Sequence, residues 1–217
     1  MLRGGACLLS RSFKPYRLLS FLYVHHKEFL MKVLFSSALI AAAFLGNTAQ
    51  AAQALVPAQS AVNFEAKQMG VPLKGHFKKF DAQIAFDAAK PESSKIHFTV
   101  DTGSATMGAK ETDAELPKAD WFNVAKFPQA TFDSSAVKAL GGGKFQVDGT
   151  LTIKGNAQKV SLPVTLTQSG ATTTATGTLA LKRLNFKIGD GDWKDTSMVA
   201  DEVNVQFKLA LTGVGKL

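Results

Sequence analysis

Val203-Asn204-Val205-Gln206-Phe207-Lys208-Leu209-Ala210-Leu211 is apolar at every odd position and polar or small at every even one. Successive side chains on a strand point to opposite faces, so this period describes a strand with one apolar and one wet face. The pattern recurs upstream. Phe80, Ala82, Ile84 and Phe86 alternate with Asp81, Gln83, Ala85 and Asp87, and Ile96, Phe98 and Val100 alternate with His97, Thr99 and Asp101. Many such strands in one small domain predict an all-β sandwich or barrel. A barrel whose apolar face points inward can enclose a greasy ligand.

Working outward, the alternation predicts strands over residues 61–67, 73–77, 80–87, 95–101, 131–138, 144–153, 159–167, 172–181 and 202–212, with a further strand over 184–188. Gly141-Gly142-Gly143 and Ile153-Lys154-Gly155-Asn156 supply turns. The connections are mostly of hairpin length, which makes the strands antiparallel. No helix alternates regularly with them, which argues against α/β folds. Residues 102–128 break the pattern. Thr112-Asp113-Ala114-Glu115 has the form of a capping box, so a short helical insertion is expected near 110–123. Trp121, Phe122 and Phe127 cluster there, and such an insertion between strands suits a lid.

The first 51 residues differ from the rest. Met31-Lys32, an apolar run over 33–45 and Ala49-Gln50-Ala51 have the form of a secretory signal peptide, with cleavage expected after Ala51. The apolar run is too short to span a membrane comfortably. Residues 1–30 hold the only cysteine, Cys7, and both tyrosines; they read as a mis-assigned start ahead of Met31 or as an extended leader. Residues 52–217 then form one exported domain. The leader carries six Lys/Arg and one Glu, which leaves 19 Lys/Arg against 16 Asp/Glu, a net charge of +3, in the remainder. With no basic run interleaved with aromatics, nucleic acid is not an expected partner. Without cysteine, this domain offers neither a disulfide, a thiolate metal site nor a Cys nucleophile.

Several segments together resemble the YceI-like family of periplasmic lipid- or polyisoprenoid-binding proteins. Ser60-Ala61-Val62-Asn63-Phe64 resembles the family's opening strand, and Gly75-His76-Phe77-Lys78-Lys79-Phe80 its Gly-x-Phe-x-x-Phe segment. Asp113-Ala114-Glu115-Leu116-Pro117-Lys118-Ala119-Asp120-Trp121-Phe122-Asn123, with Phe127-Pro128, resembles its helical segment. Gly149-Thr150-Leu151-Thr152-Ile153-Lys154-Gly155 resembles its Gly-x-Leu-Thr-Ile-x-Gly hairpin, and Ala200-Asp201-Glu202-Val203 its closing strand. The resemblance implies an extended lipocalin-like antiparallel barrel of about eight strands holding a long amphiphile. It implies a binding protein rather than an enzyme, with no cofactor. The sequence departs from the family where Gln68 replaces a His and Thr112 a basic residue, which leaves head-group recognition unassigned.

From spacing alone, the aromatic residues either fill a solid core or line a tunnel, because eight strands accommodate both. The resemblance favours the tunnel, with Phe64, Phe77, Phe86, Phe98, Phe132 and Phe207 lining it and Trp121, Phe122, Phe127 and Trp193 at the mouth. Lys74, His76 and Arg183 are the head-group candidates, Arg183 because its forked donors suit phosphate. His97 falls on the wet face of its strand. Asp190, Asp192, Asp195 and Asp201 miss the calcium-loop pattern, with Asp195 where Gly is required and Asp201 where Glu is required, so no metal is expected. The expected ligand is a polyisoprenoid, an isoprenoid quinone or a related lipid, met in the periplasm by a monomer or homodimer with transient membrane contact. A barrel enzyme acting on a lipid-like substrate, and an outer-membrane barrel with its apolar face outward, are the alternatives.

Overall fold

The computed structural model describes residues 52–217, so the proposed signal peptide, its cleavage at Ala51 and the start-site assignment lie outside the described residues. Eleven strands form one antiparallel sheet: β1 (Ala54–Leu55), β2 (Ala61–Gln68), β3 (Val71–Phe77), β4 (Phe80–Ala85), β5 (Lys95–Asp101), β6 (Ala105–Thr106), β7 (Gln129–Gly141), β8 (Lys144–Ile153), β9 (Asn156–Ser169), β10 (Thr172–Lys182) and β11 (Glu202–Thr212). The hydrogen-bonded order is β4-β5-β7-β8-β9-β10-β11-β2-β3-β6, with β1 on β11. The sheet curls; its all-β class is the one expected from the alternation, and its lipocalin-like form the one implied by the resemblance.

Nine strands are long and two have two residues each, which is why the sequence count falls short. A two-residue strand has no period to read. The pairing of β2 with β11, distant in sequence, joins the first and last long strands through Phe64↔Val205 and Val62↔Phe207. β3 and β4 follow each other end to end along one neighbouring segment, β3 beside β6 and β4 beside β5, and the Lys78 N–H to the Ser104 carbonyl at 3.2 Å and the Asp101 N–H to the Lys79 carbonyl at 3.0 Å carry the pairing through the link. Just before β1, the Gln53 amide ties down the end of β4: its Nε2 donates to the Phe86 carbonyl at 2.6 Å and its Oε1 accepts from the Phe86 N–H at 2.9 Å.

The insertion is helical but begins earlier than the capping box implies. Helix α1 spans Lys110–Glu115, with Ala109 at its N-cap and no side-chain cap. Thr112 and Glu115 therefore lie within the helix. Asp113 does the anchoring instead: its carboxylate accepts from the Met107 N–H at 2.6 Å and from the Thr106 hydroxyl. The strand expected over 184–188 is also corrected. Arg183–Phe186 is a 3-10 turn, followed by Lys187 in the left-handed region at φ 55°. The Arg183 side chain captures the carbonyls of Ile188 and Gly189, so they are withdrawn from any strand ladder.

The strand alternation divides inside from outside. Val203, Val205, Phe207, Leu209 and Leu211 face the interior, as do Ile96, Phe98 and Val100. Glu65 on β2 and Glu202, Gln206 and Lys208 on β11 lie on the opposite side of their strands. The outward face is therefore polar rather than the greasy girdle of an outer-membrane barrel. Buried apolar residues form two clusters. One holds Phe86, Phe132, Val137, Phe145, Val147, Leu166 and Ala175; the other holds Leu116, Phe122, Ala130, Ile153, Phe186 and Ile188.

Candidate functional site: an apolar cavity with a covered mouth

Both clusters border one interior cavity of about 540 Å³. That volume is within the range of roughly 300–1,000 Å³ typical of ligand pockets. Its wall is contributed by strands from all around the sheet, from Val62 and Phe64 on β2 to Phe207 and Leu211 on β11. Phe64, Phe77, Phe86, Phe98, Phe132 and Phe207 all line it, and so do Trp121, Phe122 and Trp193.

The aromatic rings do not close the lumen because glycines let them lie against the wall. A Cβ at Gly75 would meet the Phe64 ring at 2.3 Å, one at Gly149 the Phe132 ring at 2.5 Å, and one at Gly177 the Phe207 ring at 2.4 Å. Gly75 is opposite Phe64, and Gly177 is opposite Phe207, in the strand register. Each ring therefore occupies the space of a missing side chain on the neighbouring strand. The alternation by itself assigns these glycines no role, yet an isolated glycine inside an alternating strand marks close approach of this kind.

One end of the cavity is covered by side chains from outside the long strands. Leu116, Trp121 and Phe122 from the insertion meet Ile188 and Trp193 from the β10–β11 connection. The Trp121 and Trp193 ring centroids are 5.5 Å apart, and Phe122 meets Phe77 edge-on at 5.9 Å. Trp121 Nε1 is buried without a hydrogen-bond partner. The polar lining includes Lys67 and Gln68 at the end of β2 and Glu111, Thr112 and Glu115 on α1. These rim residues are not among the sequence candidates, apart from the departures noted at Gln68 and Thr112.

Four sequence candidates have other places. Phe127 does not line the cavity: its ring lies over Gly155, where a Cβ would meet it at 2.9 Å, and its carbonyl accepts from the Thr102 hydroxyl. Lys74 and His76 are exposed on the outer face of β3, opposite Glu65 and Asn63 of β2, because strand alternation turns them away from the inward Leu73 and Phe77. Arg183 does border the cavity but is 2% exposed. Its Nε donates to Ala200, Nη1 to Ile188 and Gly189, and Nη2 to Trp193 and Val199, all through backbone carbonyls at 2.6–3.1 Å. All five donors of a guanidinium are thereby used, which leaves none for a phosphate. Burial lowers its pKa from the usual arginine value, opposed by the nearby charges of Asp201 and Asp190. Arg183 is the organiser of the loop that carries Trp193, not a clamp.

Lys154 plays a similar part from the β8–β9 turn. Its Nζ donates to the carbonyls of Lys187 at 2.6 Å and Asp120 at 3.3 Å, and so joins both halves of the cover. The acids of the β10–β11 connection are used locally. Asp195 accepts from the Ser197 N–H and hydroxyl, and Asp201 accepts from the Leu184 N–H. Among the described residues no group of three His, Cys, Asp or Glu side chains is placed to hold a metal. His97 is on the outer face, 2.6 Å from Asp133.

A family model for the YceI-like domain matches residues 54–211. The chain belongs to the YceI-like family. A UPF0312 protein of Ectopseudomonas mendocina is 36% identical over 135 residues, which are 60% of this chain and 71% of that one. Protein YceI of Salmonella arizonae is 39% identical over 110 residues, 50% of this chain and 57% of the relative. Against that YceI protein the chain thus spans little more than half the relative's length. Among solved structures, BcnA of Burkholderia cenocepacia superposes with a TM-score of 0.70 at 47% identity, covering 72% of this chain and 98% of BcnA. A polyisoprenoid binding domain from Saccharophagus degradans superposes with a TM-score of 0.60 at 17% identity, covering 74% and 98% of the two chains, which shows a shared fold.

Proposed function

We propose that this YceI-like domain is a periplasmic carrier that encloses the apolar part of a long-chain amphiphile, of the polyisoprenoid or isoprenoid-quinone class, inside its cavity. The observation that carries the reading is the cavity itself: about 540 Å³, walled mainly by apolar side chains, with Lys67, Gln68, Glu111, Thr112 and Glu115 supplying polar groups from the end of β2 and from α1. An apolar cavity of this kind holds water poorly and takes apolar ligands. The name of the Saccharophagus degradans neighbour supports the choice of ligand class. The export sequence ending at Ala51 supports the compartment.

The energetics suit exchange rather than permanent capture. Burying each methylene gains about 0.8 kcal/mol against water. Against a bilayer the gain is close to zero, since lipid tails are as apolar as the cavity wall. Loading and release are then nearly balanced, and contacts at the rim decide which molecule stays. Binding rather than catalysis fits the lining: its ionisable groups are Lys67, Glu111, Glu115 and the fully bonded Arg183, while the deep wall is contributed by residues such as Phe145, Val147 and Leu166.

Titration with geranylgeraniol, followed by tryptophan fluorescence, tests this. Both tryptophans, Trp121 and Trp193, border the cavity. Saturable binding with a change in their emission is the expected result. No saturable change, with no competition by longer isoprenoids, contradicts the reading.

A further inference from the structure

Among the described residues five large apolar side chains stand exposed, and three of them border the cavity mouth. Met69 is 69% exposed, Val71 60% and Met198 43%. Met69 and Val71 belong to the tip of the β2–β3 hairpin. The Met69 N–H donates to the Met198 carbonyl at 2.8 Å, and Gln68 pairs with Val199, so hairpin tip and β10–β11 connection form one surface. Gln68, Leu73 and Val199 line the cavity, which places that surface directly at its edge. The other two, Leu140 and Leu217, lie elsewhere: Leu140 in the β7–β8 hairpin, and Leu217 beside Gln168, to which its N–H donates.

The turn itself does not call for these residues. Met69 and Gly70 have φ of 49° and 80°, both in the left-handed region of a two-residue hairpin turn. Asn or Asp suits the first of these positions because a short polar side chain tolerates that backbone. A long apolar methionine there gains nothing from the fold, since its side chain is in solvent. The charges nearby largely cancel. Lys118 pairs with Glu115 at 2.6 Å and Lys194 with Asp190 at 3.6 Å, and the mouth carries both Lys67 and Glu111. A partner held by charge is therefore not favoured. Nor is a second copy of the chain: three side chains fall well short of the roughly 800 Å² per partner of a standard protein interface. Flexible, unbranched methionines suit a soft and variable apolar surface.

We propose that Met69, Val71 and Met198 insert into the surface of a lipid bilayer and hold the mouth against it, so that the amphiphile passes between bilayer and cavity without crossing water. The proposal rests on the reading of the cavity given above and names the partner from which it is filled. Insertion is apolar, so anionic lipid is not required and salt has little effect.

The test is flotation of the purified protein with phosphatidylcholine–phosphatidylethanolamine vesicles, for the wild type and a Met69→Ser, Val71→Ser, Met198→Ser variant. Geranylgeraniol binding in vesicle-free buffer is measured in parallel. The expected result is a partition about tenfold weaker for the variant, a loss of roughly 1.4 kcal/mol, with solution binding unchanged. A wild type that does not float, a variant that floats equally well, or a variant that only loses a dimer in sedimentation overturns the proposal. If neither protein binds geranylgeraniol, the cavity reading falls, and the flotation result still decides whether this surface meets a bilayer.

Discussion

Arg183 Nη2 donates to the carbonyl of Trp193 at 2.6 Å, linking a buried cation to an aromatic residue of the cavity cover. The same guanidinium holds four further carbonyls, from Ile188, Gly189, Val199 and Ala200. The β10–β11 connection is thereby wrapped around one side chain. This explains how a segment with little regular structure can keep Trp193 in place against Trp121.

Replacing Arg183 by Met keeps the bulk and leaves these carbonyls short of donors. Hydrogen bonds to charged groups contribute about 1.5–3 kcal/mol each, and partial rearrangement recovers some of them. A loss of at least about 3 kcal/mol in urea unfolding is expected. Arg183→Lys recovers only part, because an ammonium has three donors and no fork. A Lys variant as stable as wild type contradicts this role.

The wall glycines are predicted to control the lumen. Gly177→Ala places a methyl group where the Phe207 ring lies, and the ring moves inward. Overpacking of this kind costs about 1–3 kcal/mol. In Gly177→Ala/Phe207→Leu the contact with the ring is relieved while the 2.6 Å approach to the Pro163 carbonyl remains, so the double variant is still destabilised but loses less stability than the single-variant costs predict. Additive costs in chemical denaturation show that the ring and the glycine are not coupled.

Much of this architecture is legible in the sequence, and the reason differs by element. The bounds of β11 and β5 follow from side chains that alternate to the last residue, a period enforced by burial of one face. The inward placement of the phenylalanines follows from the same rule, while a tunnel in place of a packed core is what the family resemblance implies. The covering loops obey no such period. Arg183 resembles a phosphate clamp in the sequence because a sequence shows a guanidinium's donors but not the carbonyls that already occupy them. Lys74 and His76 fail as rim candidates for a simpler reason, since their own alternation with Leu73 and Phe77 puts them outside.

Acid is expected to loosen the cover near α1. The Met107 N–H, foremost, and the Thr106 hydroxyl hold the Asp113 carboxyl below its usual value. A carboxylate lowered on folding contributes stability above its unfolded pKa, near 3.9, and that contribution is lost as pH falls through the lower folded value. The protection of amides 107–116, measured relative to their intrinsic exchange rates at each pH, should therefore fall below about pH 4. Asp113→Asn should exchange faster at neutral pH and lose that step. Protection that persists unchanged through the acid range in the wild type contradicts the anchor.

Trp121 Nε1 is a buried donor without an acceptor. Removing an unsatisfied donor offsets part of the area lost in Trp121→Phe, so the variant should stay within about 1 kcal/mol of wild type. A much larger loss in thermal or urea unfolding shows that the indole nitrogen has a partner in solution.

Native mass spectrometry of protein purified without detergent detects an amphiphile held in the cavity. Wild type should carry one added apolar molecule per chain, releasable by solvent and identifiable by its mass. Ala66→Trp, which fills the lumen at a lining position, should remain folded and carry none. A wild-type mass equal to the polypeptide alone, unchanged after incubation with isoprenols or isoprenoid quinones, contradicts the account.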